Sequence, residues 1–379
     1  RGFFYIFQGY YTLARKVTFY FIRLGFLMAV GIAGLVLLIN NVFNLFPSNL
    51  MTILVLYFLF LTSIWLSVTV MYILQKELLF TGIIIVGIGV VYVLFRIEHL
   101  YIIYSQLISL TVISLISIGA VLYLFKSAQE KHGNKSTTKL PRKSYILYSI
   151  FHYFVYGVAY FSFLYVDRIV SWSTNDHMYM PFPIWFRGEY ELGLDFALLI
   201  LLIPMGVTEV MLFSLMRELQ ENQKQYWASQ IARMNSRYVK TYFRNLLIVF
   251  VVTVLSDLLI YFGSEVAFGH YSSSIGETLF TDPTTHFVFV WGILAYSLVS
   301  ISLMNSVTLF SLSQPQLVIK AIWPAFIVNV GLGFLLSRWF SYSDAIFGLL
   351  VGAGIFFFVS TASVLRVLSH LDYYLYAAS

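Results

Sequence analysis

The 379-residue chain is 60% hydrophobic and 19% aromatic but only 11% charged, whereas soluble domains average about 45–50% apolar and roughly 25% charged. That composition excludes an ordinary soluble fold, and the absence of Cys excludes disulfides, thiolate metal sites and thiol nucleophiles. A net charge of +6 invites a nucleic-acid reading, but the bases follow membrane topology instead.

The N-terminal RGFFYIFQGYYTLARK begins with Arg and lacks the short apolar core and small-residue cleavage site of a signal peptide. It reads as cut from a longer chain. Ten apolar runs follow, at 18–46, 49–74, 79–97, 102–126, 145–171, 191–217, 245–264, 286–312, 315–337 and 343–369. Each is long enough to cross a hydrocarbon core of about 30 Å. Continuous runs of this length predict an all-α polytopic membrane protein with about ten transmembrane helices, and they disfavour a β-barrel.

Between the fourth and fifth runs, KSAQEKHGNKSTTKLPRKS is basic and rich in Ser, Thr, Gly and Pro, the composition of a solvated linker. It predicts a partial N-terminal lobe of four helices over 1–126, a cytoplasmic linker over 127–144, and a C-terminal lobe of six helices over 145–379. With the N-terminus inside, eighteen of the 23 Lys and Arg fall on inner segments, and the outer loops hold only Arg96, Arg187 and Arg338. Arg23 and Arg168 lie within helices. The positive-inside rule therefore places both ends of this segment in the cytoplasm.

The fifth run ends in YVDRIVSW, an acid beside a base in an aromatic helix. At about 100° per residue, Ser149, His152, Tyr156, Tyr160, Phe163 and Asp167 share an arc of about 80°. Arg168 falls about 100° away, among Ile150, Gly157 and Phe161. Adjacent residues on a helix do not face each other, so the two charges point to different surroundings. The phase predicts Asp167 either on a lumen-facing polar stripe or as a satisfied interfacial acid, and Arg168 snorkelling from the apolar side to the outer headgroups beside Trp172. Such a stripe also suits plain helix packing, or aromatic stacking on sugar C–H faces with an acid to accept hydroxyl or ammonium protons.

Two more acids lie within membrane helices. Glu209 sits one turn beyond Pro204, whose ring can kink a helix and free a carbonyl; Asp257, in VVTVLSDLLIYFG, is the most deeply placed. The stretch 218–245 sets Trp227, Ile231, Met234, Tyr238 and Tyr242 on one helix face, with Lys224, Arg233, Arg237, Lys240 and Arg244 on the remainder. It predicts an amphipathic segment at the inner membrane surface, adsorbed to anionic lipid or docking a cytoplasmic partner. Asn305 and Asn329 suit interhelical hydrogen bonds, and Gly348 with Gly352 suits close helix packing. Phosphate-cradling loops and hydrolase or kinase signatures are absent, so neither enzyme activity nor a cofactor or metal is expected.

YVDRIVSW and the following WFRGEYELGLDFALLILLIPMGVTEVMLFSLMRELQENQKQYW resemble the membrane component of Pel exopolysaccharide exporters, in the multidrug, oligosaccharidyl-lipid and polysaccharide exporter superfamily. The shared pattern is an acid, a base, apolar residues and Trp, here Asp167 to Trp172, then Pro204 with Glu209, then Arg217 to Tyr226. The resemblance implies a two-lobed, twelve-helix fold lacking its first two helices in this segment. It implies a bacterial cytoplasmic-membrane protein that exports an amino-sugar-rich polysaccharide alongside a cytosolic glycosyltransferase and other membrane subunits. Substrate-pathway candidates are then His152, Tyr156, Tyr160, Asp167, Glu209 and Asp257.

Competing readings are a lipid-linked oligosaccharide flippase or cation-coupled drug exporter of the same superfamily, for which Arg23 and Lys320 are the only clamp candidates. An integral membrane acyltransferase or glycan polymerase would use His152, His270 or His286 as base. A non-transporting scaffold would recruit a synthase through 218–245.

Overall fold

The computed structural model describes residues 11–74, 76–132, 143–175, 184–222, 231–269 and 279–378. All regular structure among them is helical. Among the described residues nine helices are long and apolar enough to cross a membrane, so the chain is an all-α multi-pass membrane protein. It divides into two compact units, Arg1–Ile146 and Leu147–Ser379.

The first unit holds α1 (Tyr11–Phe43), α2 (Ser48–Ile73), α3 (Glu77–Tyr92) and α4 (Ile102–His132). The α1 helix ends where Asn44 takes a left-handed φ of 48°, a conformation Asn tolerates at a helix C-terminus. The last turn of α3 widens into a π-turn over Val93–Ile97. A small core of Ile64, Val70, Met71, Ile83, Ile113, Val121 and Phe125 joins these helices. Hydroxyl-to-carbonyl bonds supplement it: Ser109 Oγ donates to Gly87 O at 2.7 Å and Tyr57 Oη to Ile103 O at 2.7 Å. A cleft of about 690 Å³ opens between α1, α2 and α4, walled by Ile22, Phe26, Leu56 and Leu115 with Arg23 and Ser63 among them.

The second unit holds α5 (Lys143–Trp172), α6 (Gly188–Leu198), α7 (Leu202–Asn222), α8 (Ile231–Gly269), α9 (Pro283–Ser311), α10 (Pro315–Trp339), α11 (Ile346–Ser369) and α12 (Leu371–Ala378). Helix α5, with 30 residues, also has spanning length. A 3₁₀ turn over Leu199–Leu201 links α6 to α7, and the pair counts as one span, Gly188–Leu219.

Local chemistry sets these boundaries. Asp282 caps α9 by accepting from Thr285 N at 2.6 Å, with Pro283 in the first turn, where a missing N–H costs nothing. At the other end Gln314 N reaches Leu309 O and Ser313 N reaches Phe310 O, with Ser313 at φ 59°. That is a Schellman ending, and Pro315 opens α10 immediately after it.

Small residues let α10 and α11 approach closely. A Cβ on Gly348 would lie 2.5 Å from Asn329 O, and one on Gly352 would lie 2.8 Å from Ala325 O, the contact geometry of small-residue helix packing in lipid. Asn329 Nδ2 donates to Phe163 O at 2.8 Å, and Asn305 links Tyr242 Oη (2.7 Å) to Ser360 Oγ (3.0 Å) and Thr361 Oγ1 (2.9 Å). Both asparagines are thus interhelical struts.

The stretch 218–245 differs from the expected surface segment. Glu218 belongs to α7, Lys224 and Trp227 lie outside the described residues, and from Ile231 onward the chain is part of the 39-residue α8. Its apolar face does not rest in lipid headgroups: Met234, Tyr238 and Tyr242 are buried against Leu215, Leu309, Val364 and Leu368. Leu and Val side chains of the same chain compete successfully with lipid for that face.

Candidate functional site

The most densely linked polar group in the second unit is built on the Asp167–Arg168 pair. Both residues are buried, at 0% and 5% exposure. On α6, Tyr190 and Glu191 form a matching adjacent pair, and Asp195 follows Glu191 by one turn on the same face. The two pairs meet side to side. Tyr190 Oη donates to Asp167 Oδ2 at 2.8 Å, while Arg168 pairs with Glu191 and donates through Nη1 to Asp195 Oδ1 at 2.8 Å. Trp172 Nε1 donates to Glu191 Oε1 at 2.8 Å.

Close backbone approach makes room for this arrangement. Gly193 on α6 faces α9 so tightly that a Cβ would lie 2.7 Å from Thr285 O, and one on Gly292 of α9 would lie 2.9 Å from Ala197. Fully buried Tyr296 of α9 comes close to Asp167 and Arg168 from that side. Two further arginines hold the end of α5: Arg187 Nη2 donates to Thr174 O at 2.9 Å, and Arg338 Nη1 to Thr174 Oγ1 at 3.0 Å. Cations are favoured at a helix C-terminus, where unpaired carbonyls gather negative potential.

These contacts correct the expectation for Arg168. It does not snorkel to headgroups, because two carboxylates of the neighbouring helix hold it inside the protein. The inference that Asp167 and Arg168 face different surroundings stands, yet both surroundings are protein. Asp167 is fully buried, and its Oδ1 has no hydrogen-bond partner among the described residues. In formal charge, three carboxylates surround one guanidinium, which leaves the group acid-rich. Asp195, with a side chain 63% exposed, is its accessible edge.

The remaining stripe of α5 also packs on the protein. Tyr156 and Tyr160 stack at 5.7 Å and 18°, Tyr156 meets Phe310 edge-on at 4.8 Å, and Phe163 meets Phe356 at 6.2 Å. His152, at the other end, is half-buried and lies 3.5 Å from Gln316 Nε2. Glu209 is exposed on α7. Asp257 stands elsewhere, on α8, half-buried and accepting from Ser297 Oγ at 2.9–3.0 Å. The six substrate-pathway candidates therefore do not converge on one point.

Next to Asp257, Ser256 Oγ donates to Ile200 O at 3.0 Å. Ile200 lies four residues before Pro204, so its carbonyl is the one that the proline leaves without a helical donor. A hydroxyl from a neighbouring helix supplies the bond, as lipid cannot. The carbonyl that Pro204 was expected to free is thus bound by Ser256.

Sequence reading passed over Tyr190, Glu191, Asp195 and Tyr296. The signal was present: Asp195 lies inside the run 191–217, and Glu191 precedes it by four residues, the spacing that grips one cation from one face. His286, a candidate base, lies 3.4 Å from Tyr261 Oη, and His270 lies outside the described residues. Among the described residues no cluster of three metal-ligating side chains occurs. No protein-family model, curated protein or solved structure matches this chain.

Proposed function

We propose that this chain is a transport subunit rather than an enzyme, and that it exports an amino-sugar-rich exopolysaccharide across the bacterial cytoplasmic membrane beside a cytosolic glycosyltransferase. The observation that carries this reading is that the acid, base and Trp of the resemblance pattern, Asp167, Arg168 and Trp172, are all held by the stretch that follows them in the sequence. Asp167, Arg168 and Trp172 of YVDRIVSW, and Arg187, Tyr190, Glu191 and Asp195 of WFRGEYELGLDF, lie at one junction. Charged groups within a membrane are costly and mark functional positions more often than decorative ones.

In this reading the Asp167–Arg168 junction fixes α5 to α6, and the accessible acids Asp195 and Asp257 meet the cationic polymer. The division follows from exposure: a fully buried carboxylate cannot touch a passing sugar, whereas a half-buried one can. Export assays on Asp195→Asn and Asp257→Asn at matched membrane levels test it. Each should lower polymer export at least about tenfold, a loss of ~1.4 kcal/mol in transition-state stabilisation. Unchanged export by the double variant would overturn the assignment.

The cleft of the first unit supports a second reading, transport of a lipid-linked oligosaccharide. Its walls suit an isoprenoid chain and Arg23 suits a phosphate. Competition by undecaprenyl phosphate for polymer export, lost in Arg23→Gln, would favour this second reading over the first.

A further inference from the structure

The cleft between α1, α2 and α4 has a polar end and an apolar end. Arg23, Ser67 and Ser114 line it, and packing sets all three at one level. A Cβ on Gly25 would lie 3.1 Å from Leu66, so Arg23 and Ser67 stand level on antiparallel α1 and α2. Tyr57 Oη donates to Ile103 O at 2.7 Å and to Gln106 Oε1 at 3.2 Å, and nearly equal helical rises from that tie reach Ser67 on α2 and Ser114 on α4. Away from this level the walls are Phe26, Leu27, Leu56 and Leu59. Ser67 Oγ already donates to Ser63 O at 2.9 Å, whereas the exposed Arg23 has no ion pair or hydrogen bond among the described residues.

We infer that this cleft binds one acyl chain of an anionic phospholipid, with the lipid phosphate on Arg23. Depth supports it. Leu24–Phe43 of α1 and Ser48–Ser67 of α2 each hold twenty residues, about 30 Å of helix, which is the thickness of the hydrocarbon core. The level of Arg23 is therefore that of a headgroup layer, and a deeper setting only raises the demand for a counter-charge, because an unpaired guanidinium in hydrocarbon is costly. Length selects the chain. From Ser67 back to Leu56 is eleven residues, about 16 Å, close to the ~15 Å that one leaflet contributes to the core. An acyl chain fills that length, whereas an undecaprenyl chain overruns it. Charge selects the head, since the phosphate of phosphatidylglycerol leaves a net negative charge for Arg23, while phosphatidylcholine neutralises its own. Ser114 sets a further hydroxyl at the same level for a second hydrogen bond. The inference depends on the first unit spanning the membrane, and not on what the protein transports.

Photolabelling of the full-length protein in nanodiscs tests it. The probe is phosphatidylglycerol carrying a diazirine either beside the glycerol or at the far end of one acyl chain. The first should label the Arg23–Ser67 end of the cleft and the second the Leu27–Leu56 end, as read by peptide mapping. Unlabelled phosphatidylglycerol should compete at least about tenfold better than phosphatidylcholine. Arg23→Gln should remove that preference, and Arg23→Lys should keep it. Undecaprenyl phosphate should compete less well than phosphatidylglycerol. Labelling spread evenly over the lipid-facing helices would overturn the proposal, leaving only ordinary surrounding lipid, and this outcome is read on the unaltered protein. A preference that survives Arg23→Gln would also overturn it. So would undecaprenyl phosphate competing as well as phosphatidylglycerol, an outcome that favours the lipid-linked oligosaccharide reading of the cleft.

Discussion

The two units hold their helices together by different means. In the first, a serine and a tyrosine bond to backbone carbonyls of other helices, and the common core is small. In the second, charged and aromatic groups cross between helices: Arg168 to Glu191 and Asp195, Tyr190 to Asp167, Tyr242 to Asn305. Lipid gives no hydrophobic drive for helices to associate, so packing and polar bonds must supply it. The first solution is forgiving, because a hydroxyl can return to its own helix backbone. The second is exacting, since an ion that loses its partner inside the protein cannot return to water.

The largest effect should follow from removing Arg168, the cation that pairs with Glu191 and Asp195. Arg168→Leu leaves Glu191 buried without its counter-charge, a loss of about 3–5 kcal/mol, and thermal unfolding in detergent should show a strongly lowered midpoint. Arg168→Lys, which keeps the charge but loses the planar fork, should fall between. An unchanged midpoint in Arg168→Leu would place the junction in the same forgiving class as the first unit.

Glycine substitutions sharpen the contrast. Gly348→Ala drives a methyl group into Asn329 O, a backbone atom, at 2.5 Å, and overpacking of this kind costs about 1–3 kcal/mol. Gly87→Ala meets side-chain atoms, the end of Ile113 and Ser109 Oγ at 3.3 Å, rather than backbone, so its loss should be the smaller of the two. Chemical denaturation of the two variants side by side checks the order.

Asp167→Asn should cost less than either, about 1 kcal/mol, because an amide oxygen still accepts the Tyr190 hydroxyl. A double-mutant cycle with Tyr190→Phe should then show coupling between the two sites. Smallest of all is Ser109→Ala in the first unit, which removes one bond worth about 0.6 kcal/mol on the average for membrane helices. A midpoint shift for Ser109→Ala equal to that for Arg168→Leu would erase the distinction between the units.

Much of the fold was legible because it depends on local regularities. Apolar runs gave the helices, and Gly348 with Gly352 gave the close packing of α10 on α11. Asn305 and Asn329 could be read as struts because an amide in lipid must find a partner. Boundaries were less legible: α8 runs back to Ile231, since Met234, Tyr238 and Tyr242 find a protein surface that no periodicity reveals. Arg168 is the clearest failure. Its helical phase matched lipid-facing neighbours, and snorkelling was the cheapest fate until Glu191 and Asp195 came within reach.

The sequence by itself determined the class of protein, the helical segments and the face of each helix on which a charge stands, because composition and periodicity act along the chain. Only the tertiary structure decided what stands opposite each face. Asp167 and Arg168 were separable by helical phase alone, but Tyr190 for one and two carboxylates for the other were choices made by packing. Partnership across space depends on backbone approach, here through Gly193 and Gly292, and that approach belongs to several helices together.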